Sequence, residues 1–198
     1  MRKKNVLLTI LSVFVIAAFL TGCAGMAAKP TEKNFKDPIV KLSYVEVPYY
    51  TGYWYFSSKV APTKGNAGNY GAPMGLGFIF EIQNPNDYPV LLESLKFSIA
   101  FEEFQLNTVG SVEPQWIPAG KTNQLRVNAM MDARSALLSL LVTGGFKLKE
   151  KGMSPWDALE KWWTGAPEAS YPINVEEGSA IFKAGDMVKG ISFVATFP

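Results

Sequence analysis

The stretch Gly75–Phe101, GLGFIFEIQNPNDYPVLLESLKFSIAF, decides the fold. Large apolar side chains alternate with other residues in its first half, at Phe78, Phe80 and Ile82, and again in its second half, at Leu95, Phe97, Ile99 and Phe101. Such alternation predicts two strands that each have a buried face. Asn84-Pro85-Asn86 predicts a turn between them, because Pro85 fixes its own φ and Asn side chains bond nearby backbone. We interpret the two strands as the centre of a β-sandwich.

The same patterns predict further elements on both sides of this stretch. Strands are expected at Ile39–Val47, Leu106–Val112, Thr122–Met130 and Val188–Phe197, with a strand pair, Tyr171–Val175 and Ala180–Phe182, around Glu176-Glu177-Gly178. A turn is expected at Ile117–Gly120. The expected class is therefore mainly β (α+β), an immunoglobulin-like or fibronectin-III-like antiparallel sandwich of about seven or eight strands with two short helices.

Both helices carry start and stop signals. Asp132 is placed to cap a helix over Ala133–Val142, whose leucines at 137, 138, 140 and 141 predict core packing, and Gly144-Gly145 predicts its end. Ser154 followed by Pro155 predicts the start of a second helix, which ends at Gly165.

The first 22 residues predict an export signal. Arg2, Lys3 and Lys4 precede the uncharged apolar run Val6–Leu20, which is too short for an ordinary membrane-spanning helix. The run ends in Leu20-Thr21-Gly22-Cys23, which resembles the lipobox of bacterial lipoproteins. That resemblance implies lipidation of Cys23, anchoring in the cell envelope and, because Ala24 follows the cysteine, the periplasmic face of the outer membrane in a Gram-negative cell. Two or more acyl chains anchor a protein stably.

After cleavage we expect a flexible tether over residues 23–38, rich in Ala, Lys, Thr and Pro, and one domain over residues 39–198. The chain has 19 basic and 17 acidic residues; loss of Arg2, Lys3 and Lys4 leaves 16 basic residues and a net charge near −1. The remaining basic residues are scattered, so the sequence does not predict nucleic-acid binding.

Composition also restricts the chemistry. The chain has no histidine, and its single cysteine is assigned to the lipid, which excludes Ser-His-Asp and Cys-His catalysis, Cys/His zinc sites and internal disulfides. No phosphate-binding or dinucleotide-binding glycine motif is present. The acidic pairs Glu102-Glu103 and Glu176-Glu177 are the remaining catalytic candidates, but adjacent residues on a strand point to opposite faces. We therefore predict no enzyme activity and no cofactor.

Two aromatic groups are candidate interfaces. Trp156, Leu159, Trp162 and Trp163 share a stripe on the second helix, and Tyr50, Tyr53 and Trp54 belong to a cluster before the Gly-rich segment 61–73. The tryptophan stripe could dock a protein partner or the bilayer interface, and the tyrosine cluster could contact sugars or the membrane. Packing within the domain is the preferred interpretation of both groups.

Residues 38–198 resemble the WHy (water stress and hypersensitive response) domain of the late embryogenesis abundant group-2 family. The resemblance rests on an ordered set of motifs: Val40-x-Leu42, Gly77-Phe78-x-Phe80-x-Ile82-x-Asn84-Pro85-Asn86, Tyr88-Pro89, Leu95-x-Phe97-x-Ile99, Ile117-Pro118-Ala119-Gly120-Lys121-Thr122 and Tyr171-Pro172-Ile173. It implies a sandwich associated with desiccation and other stress, without a catalytic centre. Tyr49–Pro73 and Ser154–Gly165 look like additions to that pattern.

Three functions remain open on the sequence. The leading hypothesis is a non-enzymatic, lipid-anchored envelope protein that acts in stress protection or as a binding module. The first alternative is an accessory lipoprotein that binds a dedicated protein partner in envelope assembly, transport or secretion, through the Trp156–Trp163 stripe. The second is a glycan-binding envelope protein that uses Tyr50, Tyr53 and Trp54.

Overall fold

The computed structural model describes residues 29–57 and 71–198, and in those ranges it is mainly antiparallel β. One sheet contains β1 (Ile39–Tyr50), β2 (Met74–Gln83) and β6 (Thr122–Met131), in the order β1–β2–β6. The other contains β3 (Val90–Phe101), β4 (Phe104–Ser111), β7 (Ile173–Ala184) and β8 (Met187–Phe197), in the order β4–β3–β7–β8, with β5 (Gln115–Ile117) paired to the start of β3. The predicted class, an antiparallel sandwich with two short helical segments, is confirmed.

The core lies between the two sheets and is built by the predicted alternation. Phe78 and Phe80 of β2 meet Phe97 of β3 edge to face, with ring centroids 4.9 and 5.2 Å apart. All three side chains are buried, since β2 is the central strand of its sheet and β3 has β4 and β7 on its two sides. Aromatic pairs in this geometry add to the free energy gained from burial alone.

The turn Asn84–Asp87 carries the chain from one sheet to the other, because β2 and β3 belong to different sheets. Asn84 is fully buried, and its amide nitrogen donates to the carbonyls of Tyr88 (2.8 Å) and Ile117 (3.0 Å). Its side-chain oxygen accepts a hydrogen bond from the backbone amide of Asn86 at 3.0 Å, which is the expected Asx-type turn. Asn84 therefore fixes the position of the β5–β6 turn as well as its own.

The first helical segment is longer than the sequence predicted. It consists of α1 (Ala133–Ser139), a π-helical turn (Leu140–Gly144) and α2 (Gly145–Glu150). The Asp132 side chain accepts hydrogen bonds from the amides of Arg134 and Ser135, which confirms the predicted N-cap.

The prediction that Gly144-Gly145 ends this helix is wrong. Both glycines have right-handed backbone angles, so neither uses the positive φ that ends helices. A Cβ on Gly144 would lie only 3.0 Å from the Phe104 ring, so the glycine permits close packing. The segment ends instead at Gly152, where φ is +65° and the Gly152 and Met153 amides donate to the Lys149 and Leu148 carbonyls in a Schellman motif.

The second helix, α3 (Pro155–Gly165), begins and ends as predicted. Ser154 caps it, accepting a hydrogen bond from the Asp157 amide at 3.1 Å, and Pro155 occupies the first turn, where its missing N–H costs nothing. No helix in residues 29–57 or 71–198 is long and apolar enough to cross a bilayer.

One predicted strand pair is a single strand. Tyr171–Val175 and Ala180–Phe182 were expected to flank a turn at Glu176-Glu177-Gly178, but β7 runs through this point with a bulge at which Glu177 has a φ of +50°. A Cβ on Gly178 would lie 2.4 Å from the Phe193 carbonyl oxygen of β8. Gly178 therefore allows β8 to approach, and it does not reverse the chain.

Candidate functional site

The tryptophan stripe of α3 is part of the core. Leu159, Trp162 and Trp163 have no exposed surface. The indole N–H of Trp163 donates to the Ala72 carbonyl at 2.7 Å, and that of Trp162 donates to a carboxylate oxygen of Glu102 at 3.3 Å. Because these side chains are buried with their polar atoms paired, the hypothesis that they dock a partner is corrected, and the packing interpretation holds.

Trp156 is the exception in that stripe, since 53% of it is exposed. Its ring stacks on Phe56, with centroids 5.7 Å apart and planes 17° from parallel. Trp156 therefore covers the aromatic cluster from outside, and only one of its faces remains free for another molecule.

The tyrosine cluster closes the helical end of the sandwich. Tyr53 and Trp54 are 2% and 5% exposed, in a short 3₁₀ turn at Tyr53–Tyr55, and Tyr50 is partly buried against the core. Stacking on a sugar needs an accessible ring face, which Tyr53 and Trp54 do not offer. The proposed glycan contact through Tyr50, Tyr53 and Trp54 is therefore corrected, and these residues pack within the domain.

An apolar surface that the sequence did not predict lies on the first helical segment. Leu138, Leu141, Val142 and Phe146 are 63%, 54%, 82% and 90% exposed, at the spacing of neighbours on a helix. We call these four residues the helical apolar face. Leu137, Leu140 and Leu148 of the same segment are buried, so the expectation that all four leucines from 137 to 141 enter the core was wrong.

The π turn helps to assemble this face. In a regular α-helix, which advances about 100° per residue, Phe146 would lie about 80° around the axis from Leu138. The wider π turn at Leu140–Gly144 advances fewer degrees per residue and brings Phe146 back towards the side of Leu138. The exposed lysines Lys147 and Lys149 adjoin the face at its C-terminal end.

The end of the sandwich opposite the helices holds the start of the described chain. Both side-chain polar atoms of Asn86 bind the backbone of Lys36: Oδ1 accepts from the Lys36 amide at 2.7 Å, and Nδ2 donates to its carbonyl at 2.8 Å. Phe35 packs partly buried against the core, and Asp37 pairs with Lys189 of β8. We call this contact the Asn86 clamp.

The clamp corrects the predicted extent of the tether. Residues 29–38 were expected to be part of a flexible tether, but Lys36 is fixed to the domain and the Gly185 turn lies against Pro30. The described part of the predicted tether therefore belongs to the domain. Cys23, its expected lipid, and the signal at residues 1–22 lie outside the described residues.

The two carboxylates of the first acidic pair, Glu102-Glu103, form separate ion pairs. Glu102 and Glu103 occupy the β3–β4 turn and bind different lysines, Lys161 of α3 and Lys151 after α2. The hydrogen bond from Lys151 holds the pKa of Glu103 below its ordinary value. Within residues 29–57 and 71–198, no three Asp, Glu, Cys or His side chains lie together as metal ligands.

Comparisons with known proteins give no family for the chain. No protein-family model and no curated protein matches it. A crystal structure of a protein from Archaeoglobus fulgidus is similar with a TM-score of 0.41 and 11% identity, covering 79% of this chain and 94% of that one. The structure of a Bordetella pertussis protein, provisionally assigned as ApaA, is similar with a TM-score of 0.42 and 9% identity, covering 83% and 93%. These likenesses are too weak to carry an argument about function.

Proposed function

We propose that the protein is a non-catalytic, lipid-anchored binding module of the cell envelope, which recognises a protein partner through the helical apolar face. The exposure of Leu138, Leu141, Val142 and Phe146 carries the proposal. The anchor rests on the sequence alone, through the basic start, the apolar run and the lipobox that ends at Cys23.

Exposed apolar side chains in a row favour association. Single apolar residues on a surface are ordinary, but a group on one side of a helix marks a surface that another molecule covers. Full burial of a side chain such as leucine or phenylalanine gains roughly 1.5–3 kcal/mol. Burial of Phe146 and Val142, the two most exposed members, is thus the largest available gain at this surface.

A protein with an apolar groove is the occupant that best fits this surface. Recognition of a helix face by a groove uses anchors at i, i+3, i+4 and about one turn further, which matches Leu138, Leu141, Val142 and Phe146. Lys147 and Lys149 at the C-terminal end of the face favour an acidic rim on the partner. The anchoring bilayer fits less well, because the face lies at the end of the sandwich opposite the Asn86 clamp.

Site-specific photocrosslinking in the cells that make the protein tests this proposal. A photoreactive phenylalanine analogue replaces Phe146 in one strain and Val194 in another. Val194 is a matched control because it is also apolar and 77% exposed, but it lies on β8. We expect a discrete adduct of one mass from position 146, none from position 194, and loss of the adduct when Leu141→Asp is added.

Two results would refute the proposal. Equal adducts from positions 146 and 194 would show that the helical face has no preferred partner. An adduct of twice the mass of the mature chain would assign the face to self-association. The lipid anchor is tested separately by membrane fractionation. Cys23→Ser should move the protein out of the membrane fraction, and unchanged fractionation would refute lipidation.

The role in desiccation or other stress, which the WHy resemblance implies, stays a prediction. Binding through the helical apolar face is compatible with that role if the partner is a protein that needs protection during water loss. A deletion strain that survives drying, osmotic and freezing challenge as well as its parent would count against it.

A further inference from the structure

The two ends of the sandwich differ in their distance from the proposed lipid. Leu91, near the start of β3, pairs with Lys183 at the end of β7, close to the Asn86 clamp. Phe101, ten residues along β3, pairs with Phe104, which contacts Gly144 of the π turn. At about 3.3 Å per residue, these two ends are about 33 Å apart.

The longest possible reach of residues 23–28 is shorter than that distance. Six residue steps separate Cys23 from Lys29, and an extended chain spans at most about 3.6 Å per residue, or about 20 Å in all. A posture with the helical apolar face on the bilayer and the clamp uppermost would place Lys29 about 30 Å from the surface. The segment is too short to permit it.

We propose that a second surface of the domain, the hairpin end, binds the headgroups of the anchoring bilayer. The hairpin end consists of residues 29–37 and 183–189. The proposal rests on the proposed lipidation of Cys23 and adds to it a defined face and posture. With the hairpin end on the membrane, the helical apolar face lies at the far end of the domain, where a partner can reach it.

The charge of the hairpin end suits an anionic surface. It contains Lys29, Lys33, Lys36, Lys183 and Lys189 against Glu32, Asp37 and Asp186, all of them exposed. The net charge of this end is therefore positive, whereas that of the mature chain is close to zero. Basic residues at an anionic bilayer surface each contribute attraction that falls off within a Debye length. Val188, 60% exposed, adds an apolar side chain beside Lys189.

Energy transfer from the protein to lipid headgroups tests the posture. The full lipidated chain is reconstituted into vesicles of phosphatidylethanolamine and phosphatidylglycerol (3:1) that contain an acceptor dye on the headgroup. A donor dye is attached to Val188→Cys at the hairpin end or to Val142→Cys at the helical end. Both are exposed valines, so the pair is matched. We expect transfer efficiency at least twofold higher at position 188, and equal or reversed efficiencies would overturn the proposal.

A longer tether separates headgroup binding from the restraint of the short tether. Twenty Gly/Ser residues inserted between Ala28 and Lys29 raise the average span from Cys23 to the domain to about 28 Å, at about 5.5 Å times the square root of residue number. Because the hairpin end binds headgroups, we expect transfer at position 188 to stay higher than that at position 142. Equal transfer at the two positions after the insertion would show that the short tether alone sets the posture and would overturn headgroup binding.

Failure of the anchor is distinguishable from failure of the posture. Cys23 is the only cysteine of the chain, so the protein without an introduced cysteine should not react with a thiol dye when Cys23 carries lipid. Reaction with the dye, together with loss of co-sedimentation with vesicles, would refute the anchor. Intact co-sedimentation with equal transfer at the two positions would refute the posture alone.

Discussion

Asn86→Ala should release the segment around Lys36 from the domain. The Asn86 side chain is 1% exposed and makes three hydrogen bonds, two to the backbone of Lys36 and one to the side-chain oxygen of Asn84 at 2.9 Å. Alanine removes all three bonds but keeps the backbone bond from the Gly120 amide to the Asn86 carbonyl. The turn itself therefore persists, while Lys36 loses its attachment.

The size of the effect follows from the three lost bonds. A typical hydrogen bond contributes about 1 kcal/mol net to stability, and a buried partner left unpaired costs more. Once released, the backbone amide and carbonyl of Lys36 can form hydrogen bonds with water. The buried side-chain oxygen of Asn84 keeps only the hydrogen bond from the backbone amide of residue 86. We expect the free energy of unfolding to fall by about 3 kcal/mol, which is a large part of the 5–15 kcal/mol that is typical of a domain.

Urea unfolding and hydrogen exchange measure the two consequences. The chain is expressed from Ala24, without signal or lipid, and its unfolding midpoint should fall at an unchanged slope. The amide of Lys36, protected by Asn86 in the parent, should exchange much faster in the variant. Asn123→Ala is the matched control, because its side chain makes one exposed bond to the Trp116 carbonyl, at 2.9 Å, and should cost less than 1 kcal/mol.

The argument fails if Asn86→Ala and Asn123→Ala have equal effects. It also fails if the Lys36 amide keeps its protection in Asn86→Ala, since the docked segment would then be held by contacts other than the Asn86 clamp.

Two further predictions concern the helices. Trp163→Ala should destabilise the domain by about 3–5 kcal/mol because it opens a cavity in the core. Trp156 is half-exposed, so Trp156→Ala should destabilise the domain by only about 1 kcal/mol. Equal urea unfolding midpoints for the two variants would contradict this prediction. Burial alone would raise the pKa of Asp132, but hydrogen bonds from Ser135 and the Arg134 amide outweigh it and lower that pKa. Asp132→Ala should therefore cost about 1 kcal/mol at neutral pH, and the difference should shrink as pH falls below about 4 and through the folded pKa; a difference that grows in acid would refute this assignment.

Strand positions were predictable because they depend on local alternation. Phe78, Phe80 and Ile82 face the core, and so do Leu125, Val127 and Ala129 of β6, as the period of two requires. The sequence does not tell which strands share a sheet. Asn84-Pro85-Asn86 is equally compatible with a hairpin turn and with a connection between two sheets. The pairing of β2 with the distant β6 shows that it is a connection between sheets.

Glycines were the main source of error. Gly144-Gly145 predicted a helix end, and Gly178 predicted a turn. At Gly144 and Gly178 the structure instead needs a residue without a side chain, because Phe104 approaches Gly144 and β8 approaches Gly178 closely. The glycine that ends the helical segment is Gly152, at positive φ. Local sequence does not distinguish a glycine that bends the chain from one that makes room for a neighbour.

The helical apolar face was not predicted, because most of its residues belong to a run that is apolar almost throughout. The run Leu137–Val142 is apolar except for Ser139, and a helix this apolar is ordinarily buried. Only the packing of the segment along β4 shows which leucines remain outside. The one usable signal was Phe146, which follows the run by a turn and stands beside Lys147, where a core residue is not expected.

The Asn86 clamp also sets an order of events during folding. Synthesis delivers residues 29–36 first, but their partner Asn86 lies 50 residues later, and Asn84 in turn binds carbonyls 33 and 34 residues further on. Contacts at such separation close large loops and form late. The first part of the folded chain to be made therefore cannot dock until residue 118 has emerged, and until then it is an open end that chaperones and proteases can reach.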